Sequence, residues 1–227
     1  MAKIKFGMMM TDARGKLGGQ VFSKNRGGAY VRTKVTPSNP RSLTQMESRS
    51  NLGVVSSAWS SLTVQDRASW NSAVDEFKRT DIFGDLKTPS GKNLFVRLGK
   101  NLLGIGVGFA SVAPTKMEIE PITATAVEIN PSAETFSLVG QATIPVGMTA
   151  QISATPTLSP GISYVKNRLR VINITASGAI DPASLFDSYT ERFGFPLAGA
   201  NIYVQIRYVA SNGQAGVPLV FKANVLA

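Results

Sequence analysis

A chain of 227 residues, 43% apolar and only 17% charged, has the material for a buried core and lacks the composition of a disordered segment. It contains no histidine and no cysteine, which excludes Ser–His and Cys–His nucleophilic mechanisms, disulfide frameworks and metal sites built on either residue. Its formal net charge of +10 sits in one half: residues 1–104 carry seventeen Lys/Arg against seven acids, and residues 105–227 carry seven of each.

The excess is densest at the start. Residues 1–41 hold nine bases and one acid, Asp12. Lys3 to Met10 reads as a first strand. Gln20–Lys24 and Ala29–Val35 read as two strands joined by Asn25-Arg26-Gly27-Gly28, where Asn and Gly supply the positive backbone angles of a tight hairpin turn. The two-residue period puts Val31, Thr33 and Val35 on one face and Tyr30, Arg32 and Lys34 on the other. Such a ribbon is marginal in water by itself and must lean on another surface. Residues 1–41 are therefore expected to form a basic β-hairpin arm.

Thr36-Pro37-Ser38-Asn39-Pro40 stops the last strand, because proline cannot continue a ladder. A helical segment is expected over 42–104. Ser42 and Gln45 match a capping box, and Leu43, Met46, Val54, Ala58 and Trp59 recur at helical spacing. Thr63 with Asp66 caps a second helix showing Val64, Trp70, Ala73, Val74 and Phe77 on one side. The two tryptophans read as packing anchors of a helical hairpin. After a loop from Asp81 to Ser90, a third helix over Gly91–Leu103 carries Leu94, Leu98 and Leu102 in a buried stripe. Gly104-Ile105-Gly106-Val107-Gly108 opens a flexible linker at 105–115.

From residue 116 to 227, short runs rich in β-formers alternate with Pro, Gly, Ser and Asn. The predicted strands are Ile122–Asn130, Thr135–Val139, Thr149–Ala154, Ser163–Val165, Arg170–Thr175, Asn201–Ala210 and Leu219–Val225. Ser211-Asn212-Gly213 signals a hairpin, and Asp181 with Pro182 signals the start of a short helix reaching Phe193. The expected fold is α+β: the hairpin arm, three helices, and a C-terminal antiparallel β-sandwich of immunoglobulin-like type.

Catalytic chemistry is hard to place. Asp75 and Glu76 adjoin on a helix and point apart, and Asp81 and Asp85 lie on a loop without further ligands at a recognisable spacing. Ser90-Gly91-Lys92-Asn93 bears a partial likeness to a phosphate-binding loop. That pattern needs glycine at 86 and Ser or Thr at 93, where this chain has Leu and Asn. No catalytic, cofactor or metal residue is expected, and the chain reads as a non-enzyme. No run of 18 apolar residues predicts a membrane span, and MAKIKFGMMM lacks the apolar core of a secretory signal. The charge asymmetry points to a polyanion or an acidic protein surface, with a solvated basic face as the plain alternative. The residues expected to make such contacts are Lys16, Lys24, Arg26, Arg32, Lys34 and Arg41, with Phe22 and Tyr30 available for stacking.

The stretch from Gly15 to Arg32, GKLGGQVFSKNRGGAYVR, followed by Thr36-Pro37-Ser38-Asn39-Pro40, resembles the opening of a family of tailed-bacteriophage proteins with a GK-GG-VFS-NRGG-YVR arm. Ala58-Trp59, Ala68-Ser69-Trp70-Asn71 and the segment Gly91–Leu103 extend the resemblance over about residues 14–105. It implies a virion structural role, assembled in the host cytoplasm beside portal, capsid or tail subunits and further copies of the chain. The expected placement is a neck or tail ring in the head–tail connector region. The alternatives are a capsid decoration protein and a virion-associated DNA-binding protein whose arm contacts packaged DNA.

Overall fold

The computed structural model describes residues 2–141, 143–159, 161–162 and 164–226, apart from the side chain of Asn224. Four short strands open the chain: β1 (Ala2–Lys3), β2 (Gly15–Leu17), β3 (Gln20–Asn25) and β4 (Gly28–Thr33). They pair antiparallel in the order β1-β4-β3-β2. The β3–β4 turn is Arg26-Gly27, where the Asn25 side-chain oxygen accepts the Gly27 N–H at 2.9 Å and Gly28 takes φ 108°. The expected strand over Lys3–Met10 shrinks to two residues. Beyond Lys3 the chain turns at Gly7–Met10, and Met8 and Met9 are fully exposed, with no strand paired to them among the described residues. From residue 2 to residue 50, no described residue is buried.

Helices α1 (Leu43–Ser61), α2 (Val64–Ser72) and α3 (Gly91–Gly104) form the next layer, with a 3₁₀ turn at Ala73–Asp75 and a small hairpin of β5 (Arg79–Thr80) and β6 (Leu86–Lys87) before α3. Thr63 caps α2 by accepting the Asp66 N–H at 3.1 Å, as its spacing predicts. Ser42 occupies the N-cap of α1 without a side-chain bond, so the expected capping box does not form. The inward face of α1 is Val55, Ala58 and Trp59. Val54 is half-exposed, one position off the stripe expected from the sequence. In α3, Leu94, Leu98 and Leu102 are buried as predicted. Phe95 lies at the centre of an aromatic cluster, with ring centroids 5.5 Å from Trp59, 5.1 Å from Trp70 and 5.5 Å from Phe109. Both tryptophans therefore pack the helices together, at the offsets that aromatic quadrupoles favour.

The second half comprises β7 (Ala126–Asn130), β8 (Thr135–Val139), β9 (Thr143–Ile144), β10 (Met148–Ala154), β11 (Arg170–Thr175), β12 (Gly178–Ala179), α4 (Pro182–Phe193), β13 (Ile202–Ala210) and β14 (Leu219–Val225). Of the expected strand over Ser163–Val165, Tyr164 and Val165 are irregular and Ser163 lies outside the described residues. Asp181 caps α4 by accepting the Ala183 N–H at 3.1 Å. Six strands share one sheet in the order β11-β10-β13-β14-β7-β8, where an immunoglobulin-like sandwich would divide them between two facing sheets. The sheet is mixed: β14 runs parallel to β7, against the all-antiparallel expectation. Strand period alone does not reveal such pairing, because either arrangement buries alternate residues. Both outer strands, β8 and β11, pack on α4, so the sheet curls around the helix. Its inner face carries Ile152, Ile206, Val204, Val127, Ile129 and Phe136 against Leu185, Phe186 and Tyr189 of α4.

The two halves meet on the outer face of β13. Val209 points away from α4 yet is fully buried, under Leu102 and Ile105. The segment expected as a flexible linker, 105–115, is held at several points. Trp70 Nε1 donates to the Ser111 carbonyl at 2.6 Å, the Ala113 N–H donates to Ser69 Oγ at 3.3 Å, and Asn212 Nδ2 donates to the Thr115 carbonyl at 2.9 Å.

Candidate polyanion and assembly interface

The register of the N-terminal sheet divides the residues singled out from the sequence between two faces. Lys16 and Arg32 both flank Val21, and Tyr30 sits between Ser23 and Lys3, so Lys16, Tyr30, Arg32 and Lys3 share one face. Phe22 sits opposite Val31 and Lys24 opposite Ala29, on the other face. Phe22 and Tyr30 are half-buried, while Lys16, Lys24, Arg26 and Arg32 are exposed. Lys34 and Arg41 lie beyond β4. The Lys34 N–H donates to the Gly19 carbonyl at 2.8 Å, and Arg41 is exposed with φ 51°. Among the described residues, none of these six cations has a carboxylate within 4.0 Å, although five ion pairs form elsewhere in the chain. Six unneutralised cations on exposed chain form a positive surface whose attraction to an anion is strong at low salt and screened at high salt.

The sheet is attached to the body through Asp81 and Asp85, the loop acids. Lys3 Nζ lies 3.0 Å from Asp81, whose side chain is only 6% exposed, and Lys5 Nζ lies 3.1 Å from Asp85. Asp81 Oδ1 also accepts the Phe83 and Asp85 N–H groups at 2.8 and 3.2 Å. The hydrogen bond from Lys3 is the main cause holding the Asp81 carboxyl below its ordinary value; the backbone bonds add to it and desolvation opposes it. The cations these two acids hold are the chain's own lysines. Lys5 also sits over the Phe83 ring, 5.3 Å from its centroid. Among the described residues, no three acids gather into a group that would hold a metal ion, and no helix is long and apolar enough to cross a membrane.

Two of the eight residues line a cavity: Arg32 borders one of about 250 Å³ with Ala2, Gln20, Val31 and Thr33, and Arg26 borders a larger one. Arg26, at the β3–β4 turn, lines a cavity of about 840 Å³ with Lys3, Arg79, Lys87 and Arg97. A neighbouring cavity of about 360 Å³ shares Arg79 and Arg97 and adds Lys116 and Arg207. Sequence reading does not single out Arg79, Lys87, Arg97, Lys116 or Arg207. They are spread from residue 79 to residue 207, and the last two belong to the half with no net charge. Arg79 and Lys87 are cross-strand partners in the β5–β6 hairpin, and tertiary packing of that hairpin, α3 and the β13 turn brings Arg97, Lys116 and Arg207 beside them. The faint sequence signal was the Ser90-Gly91-Lys92-Asn93 helix start, because Ser90 and Asn93 line the same cavity.

Compared with protein-family models, curated proteins and solved structures, the chain matches none.

Proposed function

We propose that this chain is a non-catalytic structural protein of a tailed-bacteriophage virion, assembling through its basic N-terminal sheet as an arm laid on a neighbouring subunit. The observation that carries the reading is the absence of any buried residue from position 2 to position 50. A small sheet whose faces are at most half-buried is marginally stable in water. Met8, Met9, Leu17, Val35, Leu43 and Met46 all stand exposed along the same stretch. A second surface that covers them would supply the missing burial, and main-chain strand pairing would set the register of the contact. The unneutralised cations suit an acidic neighbour such as a portal, capsid or tail subunit. The favoured placement is a closed ring at the neck or tail, in which each arm ties one copy to the next.

The test is incorporation. Particles assembled with a chain lacking residues 1–35 should exclude it, while the purified truncated chain stays folded by circular dichroism. Quantitative mass spectrometry of intact particles separates the placements: a neck or tail ring gives on the order of a dozen copies, and a decoration protein gives hundreds. Normal incorporation of the truncated chain would overturn the reading.

A further inference from the structure

Arg79 and Arg97 line both of the adjoining cavities, and neither has a carboxylate within 4.0 Å among the described residues. Arg26 and Lys87, the latter 3.9 Å from Asp85, extend the positive lining on one side, Lys116 and Arg207 on the other. The acids present are Asp81, already taken by Lys3, and Glu76. We propose that this cleft, between the N-terminal sheet, α3 and the β13 turn, is a binding track for the phosphodiester backbone of a nucleic acid, gripped at its centre by Arg79 and Arg97. The inference does not rest on the virion reading, and the site is separate from the exposed face of the N-terminal sheet.

Three features select this ligand. First, Arg97 is half-buried on α3 beside a like charge: burial chiefly, and the Arg79 charge next, hold its pKa below the ordinary value. A guanidinium does not deprotonate, so the folded chain keeps that repulsion until an anion sits between the two groups. Second, the cations are divided over two adjoining cavities that share Arg79 and Arg97, instead of all lining one, which suits a ligand with a charge at every repeat. Third, Thr88, Ser90 and Asn93 add hydrogen-bonding side chains to the lining, and its large apolar residues, Ile82 and Leu86, stand exposed and form no closed pocket. An acidic protein partner takes most of its affinity from apolar anchors held in closed pockets, and a phosphate backbone needs none.

The experiment is fluorescence anisotropy of the full chain with a fluorescein-labelled oligonucleotide across a salt series. The wild-type chain should bind with affinity that falls steeply with salt. Arg79→Gln with Arg97→Gln should weaken binding at least about tenfold and reduce the slope of log K against log salt by about 2, one unit for each lost phosphate contact. The same loss should appear in a chain already carrying Lys16→Gln, Lys24→Gln and Arg32→Gln. If the double variant melts, the exposed Arg79→Gln alone decides, with an expected slope change of about 1. Failure of the wild-type chain to bind would overturn the proposal, and so would a double variant that binds like wild type. Poly-glutamate displacing the oligonucleotide at equal charge concentration would assign the cleft to an acidic protein instead.

Discussion

Gly213 and Leu98 approach so closely that no side chain fits between them. A Cβ on Gly213 would lie 2.6 Å from the Leu98 carbonyl oxygen, and Gly213 holds φ 83°. The turn after β13 therefore presses directly on the backbone of α3, with Asn101 Nδ2 donating to the Gly213 carbonyl at 2.8 Å. Gly213→Ala combines left-handed strain with a backbone clash, and should cost at least about 2 kcal/mol. In a chain of this size that lowers the melting temperature by roughly 4–8 °C. Differential scanning calorimetry reads it, and an unchanged melting temperature would mean that the two halves do not meet at this point.

Asp81 makes the attachment of the N-terminal sheet sensitive to pH. Its carboxyl titrates below the ordinary 3.8 when folded, so the contribution is complete above that value and is lost as pH falls through the lower folded pKa. Hydrogen exchange should show residues 2–5 protected at neutral pH and opening in acid. Asp81→Asn should leave them open at every pH, because Lys3 then faces a neutral amide.

Phe95 contacts three aromatic rings at once, and Phe95→Ala should cost about 3–5 kcal/mol, measured by urea unfolding. Val54→Ala, on the half-exposed side of the neighbouring helix, should change stability by less than about 0.5 kcal/mol. Equal effects would contradict the assignment of Val55 as the inward residue of α1.

Two buried tyrosines should respond in opposite directions to loss of the hydroxyl. Tyr189 donates to the Thr155 carbonyl at 3.3 Å, while the buried Tyr208 hydroxyl has no partner among the described residues. Tyr189→Phe should destabilise by about 1 kcal/mol, and Tyr208→Phe should be neutral or stabilise by about as much. Burial raises the Tyr189 pKa to about 12. Its folded form thus keeps a proton that the unfolded chain releases near pH 10. Stability from this group is complete below pH 10 and falls as pH rises towards 12. Alkaline difference spectroscopy of Tyr189→Phe should show one late-titrating tyrosinate fewer than the wild type, with Tyr208, whose pKa burial and then the Glu120 charge also raise, still titrating late.

What the sequence disclosed follows the range of the forces involved. Caps and stripes act within a few residues, so Thr63, Asp181 and the Leu94–Leu98–Leu102 face could be read directly. Strand positions were legible from alternation: Thr135–Val139, Arg170–Thr175 and Leu219–Val225 lie where the pattern put them. Pairing order was not legible, because alternation in β14 is the same whether its neighbour runs parallel or antiparallel. Val209 shows the same limit: alternation with Ile206 and Tyr208 puts it on the outer face of β13, and only the docking of Leu102 and Ile105 makes that face interior. In the candidate site, Arg26 belonged to a local motif, whereas Arg97 and Arg207 meet through tertiary packing alone.

The parallel seam between β7 and β14 has a bearing on how the chain matures. β14 sits between β13 and β7, so before Val225 has been made the sheet exists only as two unjoined pieces, β7–β8 and β11–β10–β13. During synthesis the helical layer can settle early, while α4 waits on a wrap that one late segment completes. A chain lacking β14 would lose the clasp that joins those pieces, and the exposed strand edges would invite pairing with other nascent chains.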